Sequence, residues 1–243
     1  MKAMILAAGL GTRLRPLTND RPKALVEIAG RTLLEITIAR LKQFGVREII
    51  VNVHHFAGKI IEYLQAKNNF SIRIEVSRED VLLDTGGGLK KAAWFFLERA
   101  SSAPFLLHNV DVISSIDLGR LLAHHHQQQA LATLAVQQRE SSRYLLFDQQ
   151  MQLCGQQYVK EQKTEMVRNA AGTEPLAFTG IQIISPQLLN RMSEEGVFSI
   201  IDTYLRLSGQ GEKIIGYRAD GDYWRDLGKP ESVQRAAEEM TRT

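Results

Sequence analysis

The chain has 243 residues, 44% hydrophobic and 23% charged, which suits one large domain with a well-filled core. A formal charge of +3, with acids and bases interspersed, is too slight to argue for a nucleic-acid partner. The single cysteine, Cys154, permits no internal disulfide, and no Cys/His spacing resembles a zinc site. At the N-terminus the apolar run Ala3–Ala8 is too short for a signal peptide and breaks into glycine, arginine and proline. No stretch approaches the ~20 apolar residues that cross a bilayer. The expectation is a soluble, cytoplasmic protein with no membrane partner.

The first 136 residues alternate strand and helix. Strands are predicted at Lys2–Leu6, Glu48–Val53, Ser71–Val76, Pro104–His108 and Leu131–Val136. A helix begins at Thr32, where Thr32-Leu33-Leu34-Glu35 fits a capping box, and Ala57, Ile61 and Leu64 mark the next. Gly86–Gly88 opens a third, carrying Leu89, Ala92, Ala93 and Phe96. This alternation predicts an α/β fold: a mostly parallel, Rossmann-like sheet flanked by helices, with ligands at the strand C-terminal ends.

Beyond residue 140 a hairpin is expected from Arg143–Asp148 and Met151–Cys154, then a strand at Leu176–Ile184. The polar segment Gly155–Glu174 reads as a long loop. Short helices at Pro186–Met192 and Ser199–Leu207, a strand at Lys213–Tyr217 and a helix after Pro230 complete the chain. The run His124–Gln129 sits in a helical stretch and reads as a solvated face rather than a metal site. The whole is expected to be one domain whose pattern changes between residues 1–136 and 137–243.

The opening stretch carries the chemistry. Met4, Ile5 and Leu6 run into a loop stripped of side chains by Ala7, Ala8, Gly9 and Gly11, followed by Arg13, Arg15 and Lys23. Small residues let backbone N–H groups approach an anion, and the cations neutralise it, so a phosphate-bearing ligand is expected. Neither Gly-Lys pair is followed by Ser or Thr, which excludes a P-loop. Gly9-Leu10-Gly11-Thr12-Arg13 leads to Leu14 and then Pro16, which excludes a dinucleotide fingerprint opening a helix.

Asp111 follows the apolar run Phe105–Leu107, and Asp226 lies in Tyr223-Trp224-Arg225-Asp226-Leu227-Gly228. Either aspartate alone could be a turn or cap residue. Together at strand ends they suit Mg²⁺, which takes few carboxylates plus phosphates and waters. Gly86–Gly88 could let a base or ribose lie against the main chain. Ser, Cys and His occur in no recognisable triad setting, so the residue set supports charge neutralisation and positioning, as phosphoryl-type transfer requires.

LAAGLGTRLRPLTNDRPKAL resembles the signature loop of the sugar-1-phosphate nucleotidyltransferases, G-x-G-T-R-x-(R)-P-L-T followed by P-K. Asn109-Val110-Asp111 resembles the family's metal motif and Trp224–Pro230 its closing W-x-D-x-G-x-P. Leu83-Asp84-Thr85-Gly86-Gly87-Gly88 is most similar to L-E-T-G-G-G of the N-acetylmuramate-1-phosphate uridylyltransferase branch; mannose- or heptose-1-phosphate guanylyltransferases are the alternative. A catalytically silent sensor of nucleotide or sugar phosphate is the alternative of another class, against which the retained Arg13, Lys23, Asp111 and Asp226 speak.

The resemblance implies that an NTP (UTP or GTP) and a sugar 1-phosphate give an NDP-sugar and pyrophosphate, with residues 1–136 as the nucleotide-binding half and 137–243 as the sugar-binding half. Ala8, Gly9, Gly11, Thr12 and Arg13 would hold the triphosphate, with Arg13 on the departing pyrophosphate. Lys23 would neutralise the reacting phosphates, and Asp111 and Asp226 would hold Mg²⁺. Gly86 and Gly87 would lie near the nucleoside, with Asn109, Thr179 and Gly180 on the substrate side. Glu79 could accept from guanine N1–H and N2–H, although the uridylyl branch has a similar stretch. The hexose branches carry V-E-K-P where this chain reads Leu153-Cys154-Gly155-Gln156-Gln157, so sugar, base and oligomeric state stay open at this level.

Overall fold

The computed structural model describes residues 1–98 and 102–240. Its centre is a ten-stranded mixed sheet. β1 (Lys2–Leu6) lies between two parallel neighbours, β4 (Glu48–Val53) and β6 (Phe105–Asn109), and β5 (Arg73–Arg78) extends the sheet beyond β4. On the other side β12 (Glu174–Ile184) runs antiparallel to β6, and β8 (Ala132–Gln137) and β13 (Ile214–Arg218) pair with each other beside it. Because the chain leaves β1 in both directions across the sheet, a crevice opens at the C-terminal ends of β1 and β6.

The strands are continuous apolar runs because both faces are covered. Ile5, Val51 and Leu106 enter one core and Met4, Ile50 and Leu107 the other. Each such fully buried side chain contributes about 1.5–3 kcal/mol. Helices α1 (Leu33–Gln43) and α2 (Ala57–Ala66) cover the first face; α3 (Asp84–Lys91), α4 (Ala93–Leu97) and α6 (Ile200–Gly209) cover the second. Helices α5 (Leu118–Gln128) and α7 (Pro230–Met240) close the first face, and β7 (Val112–Ser114) and β14 (Trp224–Asp226) form a small ribbon above it. No helix of the described residues is long and apolar enough to cross a membrane.

Four expectations need correction. Gly155–Glu174 is not a loop: β10 (Leu153–Tyr158) and β11 (Lys163–Met166) form a hairpin continuing from β9 (Arg143–Phe147). Its outer strand is polar because it is a solvated sheet edge, so hydrophobic periodicity hardly marks it. In α2 the buried position is Ile60, not Ile61. Only half of the capping box of α1 forms: Thr32 Oγ1 accepts from the Glu35 N–H, but the Glu35 carboxylate turns to Tyr63 and Arg31. The histidine run is not wholly solvated. His125 faces inward, its ring nitrogens 2.9 Å from Thr133 Oγ1 and 2.9 Å from Ser185 Oγ, and burial holds its pKa down to about 4.

Candidate active site

The phosphate loop leaves β1 at Leu6. Ala7 N–H donates to Asn52 Oδ1 at 2.8 Å, tying the loop's first residue to the end of β4. Beyond it Ala8 is nearly buried, while Gly9 faces open space on its side-chain side. Gly11 has φ +65°, a left-handed conformation, and a Cβ there would lie 3.1 Å from Thr18 and 3.2 Å from Lys23. Glycine is therefore required at this turn. Thr18 Oγ1 donates to the Gly11 carbonyl at 2.8 Å, and Thr12 begins the 3-10 turn that buries Leu14.

The loop delivers Lys23 to the floor of the crevice, where its ammonium donates to Asp111 Oδ2. Asp111 sits in the turn between β6 and β7. Pairing of β14 with β7 sets Asp226 opposite Val112, and Leu227 N–H donates to the Asp111 carbonyl at 2.8 Å. The backbones of two half-buried aspartates are thus set side by side from chain positions over a hundred residues apart. Arg13 completes this group: a Cβ at Gly228 would lie 2.8 Å from Arg13 Nη2 and 2.5 Å from Asp226 Oδ1.

Two hollows open from this floor, and Asn109 lines both. The first, about 340 Å³, is lined by Ala8, Gly9, Lys23, Asp84, Thr85 and Asp111. The second, about 690 Å³, is lined by Arg13, Arg139, Thr179, Gly180, Trp224 and Asp226 among others. Gly180, at φ +80°, is held against Asn109, whose Nδ2 would lie 2.7 Å from a Cβ there. The Thr179 hydroxyl donates to the Ala135 carbonyl and its own carbonyl accepts from Trp224 Nε1. A larger open hollow, about 850 Å³, lies near Met1 and Lys213 and contains none of these residues.

The structure gives three of the residues assigned from sequence partners within the protein. Gly86 and Gly87 do not present their N–H groups to a nucleoside: both donate to the Phe198 carbonyl, at 3.0 and 3.3 Å. Their missing side chains admit protein instead, with Phe198 against Gly86 and the Gly196 carbonyl against Gly87. Glu79 does not face the cleft either. It is 2% exposed, accepting from Asn52 Nδ2 at 2.7 Å and from Leu83 N–H at 2.9 Å. Residue type alone could not show which way these groups point.

Sequence reasoning missed Asp84, which lines the first hollow at φ +60° with Oδ1 accepting from Thr85 N–H at 2.6 Å. A left-handed aspartate is a strained choice, and such strain gathers at ligand sites. It also missed Arg139. That guanidinium stacks 3.6 Å from the Trp224 ring centroid and donates to the Phe178 carbonyl at 2.8 Å. Burial lowers its pKa while the Asp226 charge opposes the shift. Its side-chain contacts leave one signal in the sequence, a Trp beside Asp226, which is too weak to locate an arginine 85 positions earlier.

A small-residue phosphate loop, a half-buried Lys–Asp pair, a second aspartate and a cationic wall define an enzyme of the sugar-1-phosphate nucleotidyltransferase class, on a nucleotide-diphospho-sugar transferase fold. The chain belongs to the nucleotidyl transferase family, whose model matches residues 2–243. It is 33% identical over 237 residues to the N-acetylmuramate alpha-1-phosphate uridylyltransferase of Caulobacter vibrioides, covering 95% of this chain and 93% of that protein. It is 30% identical to a probable mannose-1-phosphate guanylyltransferase of Oryza sativa, covering 95% of this chain and 62% of the other. In fold it is similar to HddC from Yersinia pseudotuberculosis, solved with GMP-PN (TM-score 0.77, 22% identity, covering 98% of this chain and 99% of that one). A putative glucose-1-phosphate thymidylyltransferase from Bacillus anthracis is similar too (TM-score 0.80, 18% identity, covering 98% and 94%).

Proposed function

We propose that the enzyme transfers a uridylyl group from UTP to an amino-sugar 1-phosphate such as N-acetylmuramate 1-phosphate, releasing pyrophosphate. The observation that carries this reading is a pair of hollows that meet at Asn109, one holding the Lys23–Asp111 pair beside the phosphate loop and one holding Asp226 beside Thr179–Gly180. The nucleotide occupies the first and the sugar the second. Ala8, Gly9, Gly11 and Thr12 hold the triphosphate, and Arg13 receives the departing pyrophosphate. Lys23 neutralises the reacting phosphates, and Asn109 and Gly180 border the sugar phosphate. The attacking phosphate oxygen is already anionic, so the reaction needs alignment and charge neutralisation rather than a general base.

Asp111 and Asp226 offer hard oxygen donors only, and no cluster of three His, Cys, Asp or Glu ligands occurs among the described residues. Two carboxylates with room for phosphates and water fit Mg²⁺. When bound, the metal supplies neutralisation of the phosphate charge.

The relative from Caulobacter supports the uridylyl reading, and so does the burial of Glu79, the carboxylate that guanine selection would use. The guanylyl alternative rests on the Oryza relative. Pyrophosphate release is to be measured across four NTPs and a panel of sugar 1-phosphates. UTP with N-acetylmuramate 1-phosphate is expected to give the highest kcat/KM. Preference for GTP with mannose 1-phosphate would replace this reading with the guanylyl one.

A further inference from the structure

The wall of the second hollow carries more positive charge than one phosphate monoester needs. Arg13, Arg139, Arg143, Arg225, Lys229 and Arg235 line it, against the single carboxylate of Asp226. Arg225 is neutralised by Glu239 at 2.6 Å, and Arg139 is engaged by Trp224 and the Phe178 carbonyl. The side chains of Arg13, Arg143, Lys229 and Arg235 make no ion pair and no hydrogen bond among the described residues. A phosphate monoester brings about two negative charges. With Arg13 taken by the departing pyrophosphate, Arg143, Lys229 and Arg235 remain, one cation more than a dianion pairs with, which is unfavourable unless the ligand carries a further negative charge.

These cations are not equivalent in place. Arg13 and Lys229 flank Gly228, beside Asp226 and the phosphate chemistry, and Arg235 follows on α7. Arg143 comes from elsewhere: it opens β9, next to Ser141 and Ser142, on the wall that includes Phe178, Thr179 and Gly180. Its guanidinium is exposed and touches only the Tyr158 ring, 6.0 Å from its centroid. A guanidinium held by one aromatic face keeps its N–H fork free for a carboxylate.

We propose that Arg143 is the specificity residue of this hollow, receiving the carboxylate of the acidic sugar 1-phosphate. The proposal rests on the assignment of this hollow to the sugar. N-acetylmuramate 1-phosphate has such a group in its lactyl ether, and N-acetylglucosamine 1-phosphate is the same amino sugar without it. The choice between acidic and neutral sugars then follows from charge, because a neutral sugar leaves the fork unpaired.

The test is steady-state kinetics with UTP and these two sugar phosphates, for the native enzyme, Arg143→Gln and Arg143→Lys. The native enzyme is expected to favour the acidic sugar by at least roughly 100-fold in kcat/KM. Arg143→Gln should shrink that ratio roughly tenfold or more through the sugar KM, with the UTP KM moved less than twofold. Arg143→Lys should recover part of the ratio, because it keeps the charge but loses the fork. Equal native use of both sugars, an equal loss on both in Arg143→Gln, or a raised UTP KM would each overturn the proposal. Failure of the uridylyl reading shows separately, as use of GTP over UTP. The acid-to-neutral ratio is then measured with GTP and judged by the same outcomes.

Discussion

Lys23 and Asp111, 88 residues apart in the chain, meet as an ion pair on the floor of the cleft. Their side chains are only 13% and 14% exposed, so water and salt screen the pair weakly. The loop that brings Lys23 and the β6–β7 turn that brings Asp111 are thereby set against each other before any substrate arrives. Preorganised charge of this kind acts on the transition state without reorganisation.

The carboxylates of the floor are the first point of test. Asp111→Asn and Asp226→Asn are each expected to lower turnover by roughly 10²–10³-fold. Both should also need more Mg²⁺ for half-maximal rate, with far-UV circular dichroism unchanged. Near-normal turnover of both variants at saturating Mg²⁺ would remove the metal assignment.

Gly87 tests whether the glycine run serves packing or the nucleoside. A Cβ there would lie 2.4 Å from the Gly196 carbonyl, a backbone group that cannot swing aside. Gly87→Ala is expected to lose about 1–3 kcal/mol, as overpacked sites do. For a chain of this size that is a fall in Tm of roughly 2–4 °C per kcal/mol. An unchanged Tm with a sharply raised UTP KM would return Gly87 to the nucleoside.

The parts of the site legible in the sequence are those whose chemistry demands a residue type at a fixed spacing. Glycines beside arginines after a strand mark the phosphate loop, and aspartates just past apolar runs mark Asp111. What spacing cannot encode is direction. Glu79 sits where a carboxylate could meet a base, yet the chain turns it inward onto Asn52 and Leu83. The β10–β11 hairpin was illegible because a solvated edge needs no alternation. Arg139 and Arg143 are illegible because single arginines on a polar segment carry no pattern until the β8–β9 connection and the start of β9 set them on one wall.

Acid sensitivity follows from two buried rings. His108 is fully buried, with Nδ1–H donating to the Asn109 carbonyl at 2.7 Å, and burial holds its pKa at about 4; His125 is likewise held at about 4. Both rings are neutral in the folded protein, while in the unfolded chain they titrate near 6.5. Stability is therefore full above about pH 6.5 and is lost as pH falls toward 4, because only the unfolded state takes up protons in that window. The expected loss is about 2 kcal/mol per histidine by pH 5. Urea unfolding at pH 7.5 and pH 5 measures it, and His108→Gln/His125→Gln should flatten the difference. Equal native stability at the two pH values would contradict neutral burial.

The sharpest test of the scaffold is Glu79→Gln. Ala7 N–H donates to Asn52 Oδ1, Asn52 Nδ2 donates to Glu79 Oε1, and Leu83 N–H donates to Glu79 Oε2, at 2.8, 2.7 and 2.9 Å. The relay runs from the phosphate loop to the residue before Asp84 and ends on a group that only accepts. Glutamine brings one oxygen and one NH₂, so either Asn52 or Leu83 must face a donor. Turning the Asn52 amide over relieves that clash only by setting its NH₂ against Ala7 N–H. Every arrangement leaves a buried donor unpaired, at about 1–3 kcal/mol. Glu79→Gln is thus expected to lower Tm by several degrees at the ~2–4 °C per kcal/mol of a chain this long. It should also raise the KM of UTP and GTP together, since both walls of the first hollow loosen. A variant with unchanged Tm that loses GTP use alone would place the carboxylate on the base instead.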